Sequence, residues 1–362
     1  LENSYMKKSL VALAAMAVVG AASAQVTITG LMSMSYQSSM TGTYGLSLSD
    51  SSIFLGDTED LGGGTKVVTS LGFDAGGHTT TGPGVSGLRS ENTSMSLIGH
   101  FGTVKLASYE SDGPFASIEA LSGASLDVGM FDSNAANNAK RFRNGVFYTA
   151  PIMGGFAPGI AYVTLAGQYS STPGSATDTC GSAVCDSKTK VVPYVTYTNG
   201  GLTAYAEYDA FNANYNATAT TPNADDPVTQ PVITVKYDFG AAVVGAGWTK
   251  PSNDGAVYIL AASVPVGALT FGVATESYTP GGSSAKAAGT STFTEASVGY
   301  SLSKRTSLKA SFGVTNDAGV AYANGGNTVG TSSATPSLNT NYGLTQGLTQ
   351  NGEYRVGLYH SF

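Results

Sequence analysis

The feature that most constrains this chain is a side-chain period of two, read most clearly in residues 352–362. There Tyr354, Val356, Leu358, His360 and Phe362 share one face, while Glu353, Arg355, Gly357, Tyr359 and Ser361 share the other. Period two is the signature of a strand. A strand of about ten residues that is apolar on one side and polar on the other, with aromatic residues near its ends, is the unit of a transmembrane β-barrel. Other segments keep the same phase. Leu308, Ala310, Phe312 and Val314 alternate with Ser307, Lys309, Ser311 and Gly313, and Ile233, Val235, Tyr237 and Phe239 alternate with Thr234, Lys236 and Asp238.

From this pattern strands are expected at 25–37, 47–55, 64–75, 90–101, 103–110, 141–149, 156–169, 189–198, 201–211, 232–239, 241–250, 256–264, 268–278, 292–302, 305–316 and 352–362. That makes sixteen, an even number, which returns both chain ends to one side of a barrel. The connections fall into two sets. Short Gly- or Pro-bearing ones lie at 56–63, 101–102, 150–155, 199–201, 240, 265–267 and 303–304, with tight-turn chemistry. Longer ones rich in Ser, Thr, Asn and Gly lie at 38–46, 76–89, 111–140, 170–188, 212–231, 279–291 and 317–351. The reading is therefore an all-β, sixteen-stranded antiparallel transmembrane barrel, with short periplasmic turns and long extracellular loops.

Composition agrees. Charged residues are 11% of the 362, against 47 Gly and 20 Tyr, where an average globular chain carries about 25% charged residues. Mean hydropathy is +0.04, the value expected when half of each strand faces lipid and half faces water. Strand-periodic aromatic and aliphatic residues argue against disorder. No run of 18 apolar residues follows Val19, so no spanning helix is expected. Met6-Lys7-Lys8, the apolar stretch from Leu10 to Val19, and Ala22-Ser23-Ala24 read as a secretory leader over 6–24, cleaved before Gln25. Leu1 to Tyr5 read as upstream residues, and 25–362 as one barrel domain. The net charge of −7 argues against nucleic acid, which needs a basic face.

Motifs for chemistry are missing. His78, His100 and His360 have no metal-ligand spacing, and Gly245-Ala246-Gly247-Trp248-Thr249-Lys250 lacks P-loop spacing and reads as strand. No G-x-S-x-G elbow occurs. An enzyme, a cofactor and a metal are not expected. Cys180 and Cys185, in a polar segment, are expected to form a small loop disulfide in an oxidising envelope compartment, with free thiols as the alternative.

Four stretches carry a family resemblance. They are Gly56-Asp57-Thr58-Glu59-Asp60-Leu61-Gly62-Gly63-Gly64, Phe101-Gly102-Thr103-Val104-Lys105-Leu106, Arg141-Phe142-Arg143-Asn144-Gly145-Val146-Phe147-Tyr148-Thr149-Ala150-Pro151, and Val356 to Phe362. Together they resemble the Gram-negative general porins of proteobacterial type. The resemblance implies an outer-membrane homotrimer of sixteen-stranded barrels, each with its third loop folded into the lumen as a constriction. It implies passive passage of ions and small hydrophilic solutes, contact with outer-membrane lipid and lipopolysaccharide, and a closing strand read by the barrel-assembly machinery through Leu358, His360 and Phe362. Family members commonly carry a basic residue where Phe147 stands, which argues against a strongly anion-selective pore.

In a pore, selectivity comes from radius and field, concentrated by low-dielectric walls. Strand phase turns Lys66, Arg141, Arg143, Lys190, Lys236, Lys309 and Arg355 inward, with Asp74, Glu207, Glu276, Glu295 and Glu353. Arg141, Arg143, Lys66 and Arg355 are expected to form a basic wall, faced by Glu119 and Asp127 of the third loop. Lys190, Lys236 and Lys309 are expected to be solvated or paired within the wall, and Glu59 and Asp60 to cap the first turn. The expectation is weak, slightly anion-leaning selectivity. Alternatives are a substrate-selective pore for organic anions or sugars, a plugged barrel acting as an adhesin or structural protein, and a soluble secreted β protein.

Overall fold

The computed structural model describes residues 26–38, 44–75, 88–110, 115–123, 142–165, 188–211, 229–252, 255–279, 290–316 and 352–362. The strands are β1 (Thr27–Ser38), β2 (Tyr44–Gly62), β3 (Thr65–Ala75), β4 in two pieces (Leu88–Ser90 and Thr93–Gly99), β5 (Gly102–Glu110) and β6 (Phe142–Thr149). They continue with β7 (Phe156–Leu165), β8 (Lys188–Asn199), β9 (Leu202–Phe211), β10 (Thr229–Asp238) and β11 (Val243–Thr249). The last are β12 (Ala256–Val266), β13 (Leu269–Thr279), β14 (Ser291–Ser301), β15 (Thr306–Thr315) and β16 (Gly352–Ser361). Each strand pairs antiparallel with its sequence neighbours. β1 also pairs with β16, from Leu31↔Ser361 to Ser38↔Tyr354, so the sheet closes on itself. A closed ring leaves no strand edge with unpaired backbone groups. At the seam Gly30 and Phe362 exchange both backbone hydrogen bonds at 3.1 Å. The Phe362 ring lies over Gly30, where a Cβ would come within 2.5 Å of it.

The two faces differ as the period-two reading requires. Ile28, Met32, Met34, Tyr36, Leu106, Val146, Tyr162, Ile233, Leu260, Phe271, Phe312, Val356 and Leu358 are exposed on the outer face. Ser33, Ser35, Lys190, Asp209, Gln230, Thr234, Glu276, Glu295 and Ser311 are buried on the inner face. An apolar band of this extent belongs against hydrocarbon, because soluble surfaces seldom carry one.

Short turns join the strands at one end of the ring, at 63–64, 100–101, 150–155, 200–201, 239–242, 267–268 and 302–305. In one of them Gly240 takes φ 82°, and its N–H donates to Asp238 Oδ1 at 2.7 Å. The long connections are all at the opposite end, together with two shorter ones at 39–43 and 250–255. The first short turn is tighter than expected. Instead of turning over 56–63, β2 runs on to Gly62, because Gly56, Asp57, Thr58 and Glu59 find cross-strand partners in Ser70, Thr69, Val68 and Val67. Asp60 does cap that turn, accepting the Gly62 N–H at 2.8 Å, whereas Glu59 lies within the strand. β4 starts earlier than expected and breaks at Glu91-Asn92, where the Glu91 N–H donates to the Gly72 carbonyl at 2.9 Å.

Candidate functional site

The connection between β5 and β6 contributes the one described segment that leaves the wall, residues 115–123. Ala116–Glu119 form a helical turn, α1, and Ala120–Ser122 a 3₁₀ turn behind it. Gly123 ends the pair in the left-handed region, φ 62°, a conformation glycine adopts without steric cost. The segment begins at the rim of β5 but packs inside the ring against β11, β12, β13 and β14, well round the circumference from where it starts. The described part of the loop is therefore folded inward.

What holds it there is a small core built inside the lumen. Phe115 and Ile118 are 0% and 1% exposed. The wall beneath them offers Val257, Ile259, Ala274 and Phe293, all buried on the same inner face. Two wall positions under these side chains are glycines. A Cβ at Gly247 would lie 2.7 Å from the Phe115 ring, and one at Gly245 2.9 Å from the Cδ1 atoms of Ile118 and Leu121. At the far end of the segment, a Cβ on Gly272 would overlap the Ser122 carbonyl oxygen. The Ser297 hydroxyl donates to that carbonyl, and Ser122 Oγ donates to Glu295 Oε1 at 3.4 Å. Apolar contact, glycine gaps and two polar contacts thus seat the segment flush on the wall.

The residues expected to carry selectivity are placed as follows. Glu119 lies on α1, on the seated side of the lumen. Arg355 lies on β16 opposite Gln37 and Ser311, on the inner face with Gly357 and Tyr359. Lys66 is one residue past the first turn, opposite Asp60 and Ile98, exposed at the short-turn end. It does not come together with the seated loop. The Arg143 backbone pairs with Tyr109 and Leu165, and its side chain lies outside the described residues, as do Arg141, Asp127, Cys180 and Cys185. His360 and Leu358 lie on the outer face of β16, with His360 Nδ1 3.0 Å from Thr306 Oγ1.

Three inward cations expected to be spectators have definite surroundings. Lys190 is buried at 1% exposure in a 2.5 Å ion pair with Asp209 on the next strand. The Lys309 ammonium lies 4.6 Å from the centroid of the Tyr359 ring, a cation–π arrangement. Lys236 pairs by register with Thr203 and Gly245, next to the seat. The sequence reading missed Lys105, on the inner face of β5 opposite Ser96 and Phe147. The alternation of Val104 and Leu106 around it was the available signal. Among the described residues no cluster of metal-ligating side chains occurs.

A closed sixteen-stranded ring, polar within and apolar without, with the described part of its third loop seated in the lumen, defines a membrane-spanning β-barrel of the porin kind. The comparisons agree. The sequence matches the Gram-negative porin family over residues 9–319, and the chain belongs to that family. It is 31% identical over 290 residues to outer membrane porin protein 32 of Delftia acidovorans, spanning 73% of this chain and 77% of that one. Its fold resembles a loop-8 deletion mutant of OmpT, an outer membrane protein of Vibrio cholerae (TM-score 0.59, 12% identity, 94% and 99% of the two chains covered). It resembles equally a trimer form of OmpT (TM-score 0.58, 14% identity, 94% and 99%). A mutant of the Rh. blastica porin aligns at TM-score 0.57 with 13% identity over 93% and 100%.

Proposed function

We propose that the protein is an outer-membrane diffusion channel for ions and small hydrophilic solutes, weakly selective by charge. The observation that carries this reading is the third loop seated against β11–β14 inside a ring with a polar inner face. On this reading the loop narrows the lumen and leaves a passage beside it. On this reading Arg355, with Arg141 and Arg143, forms the basic side of the constriction, and Glu119 and Asp127 the acidic side. Lys66 acts at the mouth. Family membership supports a homotrimer in contact with outer-membrane lipid and lipopolysaccharide, reached after leader cleavage near Ala24-Gln25. Leu358, His360 and Phe362 would be read by the assembly machinery, and Cys180 and Cys185 would be joined in an external loop.

The test is the zero-current potential of the purified mature protein in a planar bilayer under a KCl gradient. Conductance with an anion-sign potential that Arg355→Ala moves toward zero supports both pore and basic wall. A cation-sign potential rejects the basic wall and keeps the pore. No conductance rejects the pore and leaves a plugged barrel.

A further inference from the structure

Gly245, Gly247 and Gly272 are alike in one respect: each lies on the inner face of the wall, and each has part of the third loop where a side chain would stand. The spacing of the loop matches that of the gaps. Phe115 sits over Gly247, Ile118 and Leu121 over Gly245, and the Ser122 carbonyl over Gly272, so one face of α1 and its 3₁₀ extension meets the gaps in succession. Not every inner-face glycine is filled. Gly299, on β14 two residues beyond Ser297, has its nearest neighbours at 4.0 Å.

We propose that Gly245, Gly247 and Gly272 form a dock that sets the bore of the channel. The three missing side chains let the loop lie flat on β11–β13, and the Ser297 hydroxyl latches its end at Ser122. The bore then depends on how deep the loop sinks into the wall, as well as on the side chains the loop presents to the lumen. A methyl group at Gly272 cannot coexist with the Ser122 carbonyl, since the obstacle is backbone and cannot swing aside as a side-chain tip would. The wall is a hydrogen-bonded sheet, so the loop gives way and moves toward the pore axis. These are positioning residues. The link to bore rests on the diffusion-channel reading, while the dock itself does not.

The test compares wild type, Gly272→Ala and Gly299→Ala as folded, heat-modifiable barrels. In planar bilayers Gly272→Ala should lower single-channel conductance by about twofold or more, and Gly299→Ala should leave it within about a tenth of wild type. Wild-type or raised conductance in folded Gly272→Ala overturns the proposal. A second readout needs no current: cleavage after Glu119 by a glutamate-specific protease, identified by mass spectrometry. Faster cleavage in Gly272→Ala but not in Gly299→Ala supports the dock even if no variant conducts, in which case the channel reading alone fails. Should Gly272→Ala not fold, Ser297→Ala removes the latch without adding an atom. It should also speed cleavage after Glu119, and an unchanged rate there overturns the dock.

Discussion

Two arcs of the same inner wall have been put to opposite uses. Along β11–β14 the strands present glycine and small or apolar residues, Gly245, Gly247, Ile259, Ala274 and Gly272, and the chain covers them with its own loop. From β15 through β1 to β5 the inner face carries Lys309, Arg355, Gln37, Asp74 and Lys105, polar side chains that the described part of the loop leaves uncovered. Both arcs obey one alternation of inward and outward residues. Neither arc is uniform, since Glu276 and Glu295 lie on the covered one and Ser33, Ser35 and Ser311 on the other. The difference lies where the loop lands: at Gly245, Gly247 and Gly272 the wall leaves room that chain can fill. That makes one side of the wall smooth at the landing and the other rough.

The sharpest way to break this contrast is to roughen the smooth side. Gly247→Leu should lower single-channel conductance by about tenfold, whereas Ser96→Leu on the other arc should change it by less than about twofold. Equal effects would mean that the arcs are not distinct. Next in size is a charge that belongs to neither arc. Asp209→Ala removes the carboxylate paired with buried Lys190 and should cost about 1.5–3 kcal/mol in thermal unfolding, with the zero-current potential unmoved. The double variant Lys190→Met/Asp209→Leu should recover most of that stability. Arg355→Ala tests the rough side directly. It should shift the anion-to-cation permeability ratio toward cations by less than about tenfold, without changing the migration of the folded barrel. The smallest effect is expected on the outer face, where Thr275 and Thr294 hydroxyls pair at 2.9 Å. Thr275→Val should cost at most about 0.6 kcal/mol, measured by denaturant titration in detergent.

How much of this could be read from the chain depends on the range of the interaction. The strands were legible because alternation is local: β16, β15 and β10 stand within a few residues of their expected bounds. The far end of β2 was not, since Asp57-Thr58-Glu59 looks like a polar turn until Val67 to Thr69 are placed opposite it. The inward position of Arg355 follows from strand phase, whereas the short-turn position of Lys66 follows from where that turn closes. The dock was the least legible part. Gly245 and Gly247 could be recognised as strand residues and cleared of a phosphate-binding role, but nothing near them in sequence says that Phe115 and Ile118 will cover them. Period two says which way a residue faces, and only the closed ring says what it faces.

The distance along the chain between loop and dock has a consequence in time. The Ser122 contacts with Glu295 and Ser297 join residues 173 and 175 positions apart. The loop emerges from β5, yet its landing place is not complete until β14 has been made and fitted into the ring. Closing so long a span is entropically costly and slow, so this segment is synthesised early and seated late. Until Glu295 and Ser297 are in place, Ser122 has neither of those partners to land on.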